Sequence, residues 1–198
     1  MAAQNVIAII WDFDKTLIDG YMQDPIFKKY NVNAVDFWNE VNSLPLQYAA
    51  KGIRVNSDTI YLNHMITCVE QGIFPGLNNK LLMELGKELV FYPGVINIFQ
   101  TLKSRIADNP KYQQYGIHVE HYIVSTGLTA MIRGSAINDL VEENGIWGCE
   151  FIEKPIYSKL AEVTIKSNQD VIRQTGYIID NTSKTRAIFE INKGANKH

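Results

Sequence analysis

The chain has 198 residues, 46% hydrophobic and 20% charged, enough for one or two domains with a real core. Its formal net charge of -2 excludes the broad basic surface that would hold nucleic acid or an anionic membrane, so any phosphate site must be local. Cys68 and Cys149 lie far apart, with no disulfide or metal-ligand spacing, which reads as two buried thiols of a reducing compartment and predicts a cytoplasmic protein.

Val6 to Trp11 is a continuous apolar run rich in β-branched residues, the pattern of a parallel strand covered on both faces. It lacks a basic flank and is too short for a signal peptide or a membrane span. From Gly20 to about Leu89 the pattern turns helical, with Tyr61, Met65, Cys68 and Val69 on one helix face. Pro45, Gly52, Gly72, Pro75 and Gly76 divide this stretch into several short helices. Its aromatic residues Trp38, Tyr48, Tyr61 and Phe74 read as the core of a small helical subdomain rather than a substrate box.

Tyr92-Pro93-Gly94 is a turn that starts a helix from Val95 to about Ile106. Val119 to Val124 is a second buried strand, ending in Ser125-Thr126-Gly127 before a helix from Thr129 to about Glu143. Ile146 to Ile152 reads as a third strand, and Glu153 to Gln174 as a long polar excursion. Tyr177-Ile178-Ile179 is a short strand, followed by N-cap candidates at Asp180 to Ser183 for a helix carrying Ala187, Ile188 and Ile191.

Alternating strands and helices imply an α/β fold with a parallel sheet, in which ligands bind outside the carboxyl ends of the strands. Asp12 and Ser125 both fall at such ends, more than a hundred residues apart in sequence. The first is part of Asp12-Phe13-Asp14-Lys15-Thr16, a DxDxT directly after the apolar run. In extended chain, residues i and i+2 project to the same side, so both carboxylates could face one substrate.

With DxDxT after the first strand and Ile123 to Gly127 (IVSTG) at the end of a later one, the chain resembles the haloacid dehalogenase superfamily. The resemblance spans Val6 to Thr16 and Tyr92 to about Glu143. It implies a Rossmann-like parallel-sheet core of residues 1–19 and 90–198, with a helical cap of residues 20–89 inserted after the first strand. It also implies a Mg²⁺-dependent phosphatase acting on a small phosphorylated metabolite. Asp12 would attack phosphorus and form an aspartyl phosphate. Asp14 would protonate the leaving oxygen and then deprotonate the incoming water. Thr16, the Ser125 hydroxyl and the N–H groups of Thr126 and Gly127 would cradle the phosphoryl oxygens. The Mg²⁺ ligands implied are one carboxylate oxygen of Asp12 and the backbone carbonyl of Asp14. Asp14 also separates chemistries: a halide leaving group needs no proton, whereas an ester oxygen does. Beside these roles stand local ones, a strand-to-helix turn at Ser125 to Gly127 and a turn contact for Thr16. Lys15 replaces the frequent Gly of the motif, as a cation near the mouth or a solvated side chain.

The third motif is a lysine, and Lys184 in NTSKTRAIFEINKG is its preferred place. A rival alignment uses Lys159 and makes Asp180 an acid of the fourth motif; otherwise Asp180 is a helix cap. Under the preferred alignment no fourth-motif acids precede His198, the core is incomplete at that end, and Mg²⁺ would be weakly held. The competing expectation is then a non-catalytic module of the same fold that binds phosphate or a partner. His64, His118 and His121 have no common ligand spacing and are not expected to bind metal.

Overall fold

The computed structural model describes residues 5–156 and 170–194. Strand β1 (Val6–Trp11) leads through the DxDxT segment into four helices, α1 (Asp24–Tyr30), α2 (Ala34–Ala49), α3 (Ile60–Glu70) and α4 (Asn79–Gly86). Then come α5 (Val95–Ala107), the short α6 (Pro110–Gln113), β2 (His118–Leu128) and α7 (Thr129–Gly134). β3 (Ile146–Cys149), β4 (Phe151–Ile152), β5 (Gln174–Thr175) and α8 (Lys184–Asn192) complete the described chain. Among the described residues no helix is long and apolar enough to cross a membrane.

β1, β2 and β3 form a parallel sheet in that order. β1 and β2 run in unbroken register from Val6 opposite His118 to Trp11 opposite Ile123. That register brings the end of β1 beside the segment where β2 reaches Ser125. α5 packs on this sheet through Phe99, which stacks on Trp11 with ring centroids 4.9 Å apart. The buried His121 ring lies between the Trp11 indole N–H, 3.1 Å away, and the Phe99 carbonyl, 3.0 Å away. This imidazole is a satisfied core group, and burial lowers its pKa.

Several elements differ from their sequence pattern. Val6 and Ile7 are 37% and 41% exposed, because among the described residues β1 pairs with a strand on one side only. Pro45 sits inside α2 without ending it. The helix expected from Thr129 to Glu143 stops at Gly134, where the Ser135 hydroxyl turns back to the Ile132 carbonyl at 2.7 Å. A 3₁₀ turn, Asn138–Leu140, follows. The third strand is split into β3 and β4. Tyr177-Ile178-Ile179 is not a strand: its Ile179 N–H points to Cys149 Sγ at 3.3 Å. The polar pair Gln174–Thr175 instead pairs antiparallel with β4. The 3.6-residue pattern of α3 does match, with Tyr61, Met65 and Cys68 all buried.

α4 seats the helical insert on the core. A Cβ on Gly86 would come 2.1 Å from the Met131 carbonyl oxygen, and one on Gly134 1.9 Å from the Met83 carbonyl oxygen. The two helices therefore touch backbone to backbone at a pair of glycines. A second tie is polar: Asn56 donates to Asp180 and Asn181 donates to Asp58, both at 2.8 Å.

Candidate active site

Phe13 is fully buried, and this anchors the chain where it leaves β1. With Phe13 pointing in, its neighbours are carried outward, Asp12 exposed and Asp14 half-buried. Lys15 then takes a left-handed φ of 57°, a backbone state that glycine adopts most easily. Its ammonium is exposed, 4.1 Å from the centroid of the Tyr21 ring, and donates to the Tyr21 oxygen at 2.8 Å.

Asp12 Oδ1 accepts two hydrogen bonds, from the Phe13 N–H at 2.9 Å and from Lys184 Nζ at 2.8 Å. Lys184 opens α8, and the turn before it is held by reciprocal bonds: Asp180 accepts from the Ser183 N–H at 2.6 Å, and Ser183 Oγ from the Asp180 N–H at 2.8 Å. Asp180 thus caps the turn that aims Lys184, and these bonds hold its carboxyl below the usual range. Lys159, the rival third-motif residue, lies outside the described residues.

Asp14 Oδ1 accepts from the Met22 N–H at 2.9 Å. Its pKa is nevertheless pushed up to about 7. Burial is the largest cause, the Asp12 charge adds to it, and the Met22 bond and Lys184 oppose it.

The second motif sits at an irregularity of β2. The ladder to β3 advances from Val124 to Leu128 on one strand but only from Trp147 to Cys149 on the other. Ser125 to Gly127 thus stand opposite the single residue Gly148 and belong to the strand rather than ending it, and such bulges re-aim side chains. Ser125 is buried, and its Oγ accepts from the Gly127 N–H at 3.0 Å. The hydroxyl proton is still available to donate. The Thr126 carbonyl accepts from the Tyr61 hydroxyl at 2.8 Å, which fixes α3 over the bulge. Thr16 is exposed, with its N–H on the Phe13 carbonyl at 3.2 Å, the local turn contact.

Between insert and core lies a cavity of about 470 Å³, bounded by Asp14 and Thr126 on the core side. Its other walls include Tyr21, Asp24, Trp38, Asp58 and Tyr61. Sequence reasoning placed Trp38 and Tyr61 in the core only; they also line this space. Gln23, Asp24 and Asp58 gave no signal in sequence, because nothing in their local pattern links them to Asp14.

Similarity to solved structures places the architecture. No protein-family model matches the chain. An uncharacterized protein of Borreliella burgdorferi is 40% identical over 196 residues, covering 97% of this chain, which spans 66% of that relative's length. Among solved structures, a haloacid dehalogenase family hydrolase from Salmonella enterica serovar Typhi superposes with a TM-score of 0.57 at 13% identity, covering 97% of this chain and 52% of that one. A phosphoserine phosphatase, solved as an analogue of its phospho-aspartyl intermediate, gives 0.55 at 16% identity, covering 94% and 70%. The chain has the haloacid dehalogenase fold. In that fold's terms the structure brings Asp12, Asp14 and Lys184 together and sets Thr126 across the cavity from the insert.

Mg²⁺ is the ion this fold implies. Among the described residues both hydrogen bonds to Asp12 fall on Oδ1, so Oδ2 is free to take a metal. No group of three His, Cys, Asp or Glu is assembled for a metal among the described residues. The donors fit an ion that keeps water and phosphate for most of its octahedral shell, the usual habit of Mg²⁺.

Proposed function

We propose that this chain carries the nucleophile, acid and phosphate cradle of a phosphomonoester hydrolase that works through an aspartyl phosphate on a small substrate. The observation that carries the reading is the 2.8 Å contact between Lys184 and Asp12, joining residues from opposite ends of the chain beside a carboxyl that holds its proton to about pH 7. A lysine at that distance pairs with the Asp12 carboxyl group and offers a charge for a phosphoryl oxygen. The name of the phosphoserine phosphatase neighbour, with its phospho-aspartyl intermediate, supports the same chemistry.

Asp12 attacks phosphorus as the ester P–O bond breaks, and the proton of Asp14 passes to the leaving oxygen. Asp14, now a carboxylate, takes a proton from water, whose oxygen displaces Asp12 and releases phosphate. Ser125 O–H, Lys184 and the Thr126 N–H hold the phosphoryl oxygens, the Gly127 N–H aims the Ser125 hydroxyl by donating to its Oγ, and Thr16 supports the turn. Mg²⁺, held by Asp12 and the Asp14 carbonyl, would supply charge neutralisation between nucleophile and dianion.

The test is hydrolysis of p-nitrophenyl phosphate with Mg²⁺. The expected result is a loss of at least about a thousandfold in kcat for Asp12→Asn, because the covalent route is removed. Equal rates for wild type and variant would refute the proposal.

A further inference from the structure

The cavity beyond Asp14 receives whatever the phosphate is esterified to, and its chemistry is one-sided. Its walls carry the carboxyl groups of Asp24 and Asp58, the amides of Asn39 and Asn42 and, among the described residues, no lysine or arginine. Tyr21, Trp38 and Tyr61 form an aromatic row along it, with successive ring centroids 5.5 and 5.7 Å apart. The exposed Lys15 ammonium already sits 4.1 Å from the Tyr21 ring centroid and donates to its hydroxyl, so Trp38 and Tyr61 are the faces left for a ligand cation.

A second observation is independent of the acids. Gln23 is 2% exposed, lines the cavity, and its Oε1 has no hydrogen-bond partner among the described residues. The Tyr61 hydroxyl gives its proton to the Thr126 carbonyl at 2.8 Å. That proton is therefore not offered to Gln23 Oε1. An unpaired buried acceptor is costly. An N–H donor in the cavity would satisfy it.

From these walls we infer that the natural substrate is the phosphate monoester of a small amino alcohol, its positively charged nitrogen held by Asp24, Asp58, Gln23 and the faces of Trp38 and Tyr61. The inference rests on the phosphatase reading above and names the substrate class for the same site. Aromatic faces attract ammonium and quaternary ammonium groups alike, and carboxylates add to the attraction. The free Gln23 acceptor favours a nitrogen that bears hydrogen. A carboxylate on the alcohol is disfavoured, since among the described residues the lining itself has no cation and the nearby Lys15 is engaged with Tyr21. Hydrolysis releases the amino alcohol and inorganic phosphate.

The experiment compares kcat/KM for O-phosphoethanolamine and phosphocholine with those for n-propyl phosphate and O-phosphoserine, using p-nitrophenyl phosphate as the generic substrate. At least about a tenfold preference for the two cationic esters over propyl phosphate is expected, consistent with a desolvated cation–π contact. Phosphoethanolamine should lead, phosphoserine should not exceed propyl phosphate, and the preference should fall towards one in Asp24→Asn and Asp58→Asn. Calorimetric binding of ethanolamine and choline, against propanol and 3,3-dimethylbutan-1-ol, gives a readout that needs no turnover and should show the same order. Turnover of p-nitrophenyl phosphate without a cationic preference overturns this inference and leaves the phosphatase reading standing. Absence of turnover on every ester counts against that reading, and the amine-binding order then decides this inference: equal affinities for charged and neutral alcohols overturn it.

Discussion

Two carboxyl groups two residues apart are given different surroundings. Asp12 lies exposed against Lys184, while Asp14 is pushed up to about 7 by burial and the neighbouring Asp12. The consequence for stability has a definite sign. An Asp that releases its proton near 3.8 when unfolded but near 7 when folded makes the native state bind more protons across that window. Stability from this group is therefore lost as pH rises from the lower value to the upper, and is constant above it. Asp14→Asn keeps the acceptor for the Met22 N–H and removes the titration. Melting curves should show the variant gaining on wild type as pH rises from about 4 to about 8; a difference independent of pH would contradict the raised value. In catalysis the sign is similar, since the acid is spent as pH rises past about 7. The alkaline limb of kcat/KM should disappear in the variant, along with about a hundredfold or more of the rate on an alkyl ester.

The elements that place these residues were legible in sequence to different degrees. β1, the start of α5 and the buried face of α3 were read from apolar period and turn residues, because those signals are local. The split of β3 from β4 and the early end of α7 were not, because they depend on contacts from distant chain. Gly134 meets Met83, and Ser135 turns back on the helix. DxDxT and Ser125 were legible as motifs, and Lys184 as one of two candidates. The cavity walls were not, since Gln23, Asp24 and Asp58 acquire meaning only when α1 and the loop before α3 are folded over Asp14. The glycine contact between α4 and α7 gives this scale its prediction. Gly86→Ala pushes a methyl against the Met131 carbonyl, at about 1–3 kcal/mol for overpacking, partly offset by about 1 kcal/mol of helix propensity. Net destabilisation should lower Tm by a few degrees; a Tm equal to or above wild type would show that the helices do not meet at Gly86.

Across the molecule, the insert is tied to the core at two places. One tie is the α4 and α7 contact. The other is the crossed pair of Asn56 with Asp180 and Asn181 with Asp58, next to the turn that carries Lys184. The cavity wall and the lysine that touches Asp12 thus share one hydrogen-bonded segment, so the seating of the insert and the placement of Lys184 are physically linked. All of it serves the carboxylate at the end of β1. The most direct measurement is acid-quench mass spectrometry of the purified protein during turnover of a phosphate ester with Mg²⁺, followed by peptide mapping. A transient phosphoryl adduct on Asp12, absent from Asp12→Asn, is the expected result. Steady hydrolysis with no adduct on Asp12, or with the adduct on another residue, would contradict it.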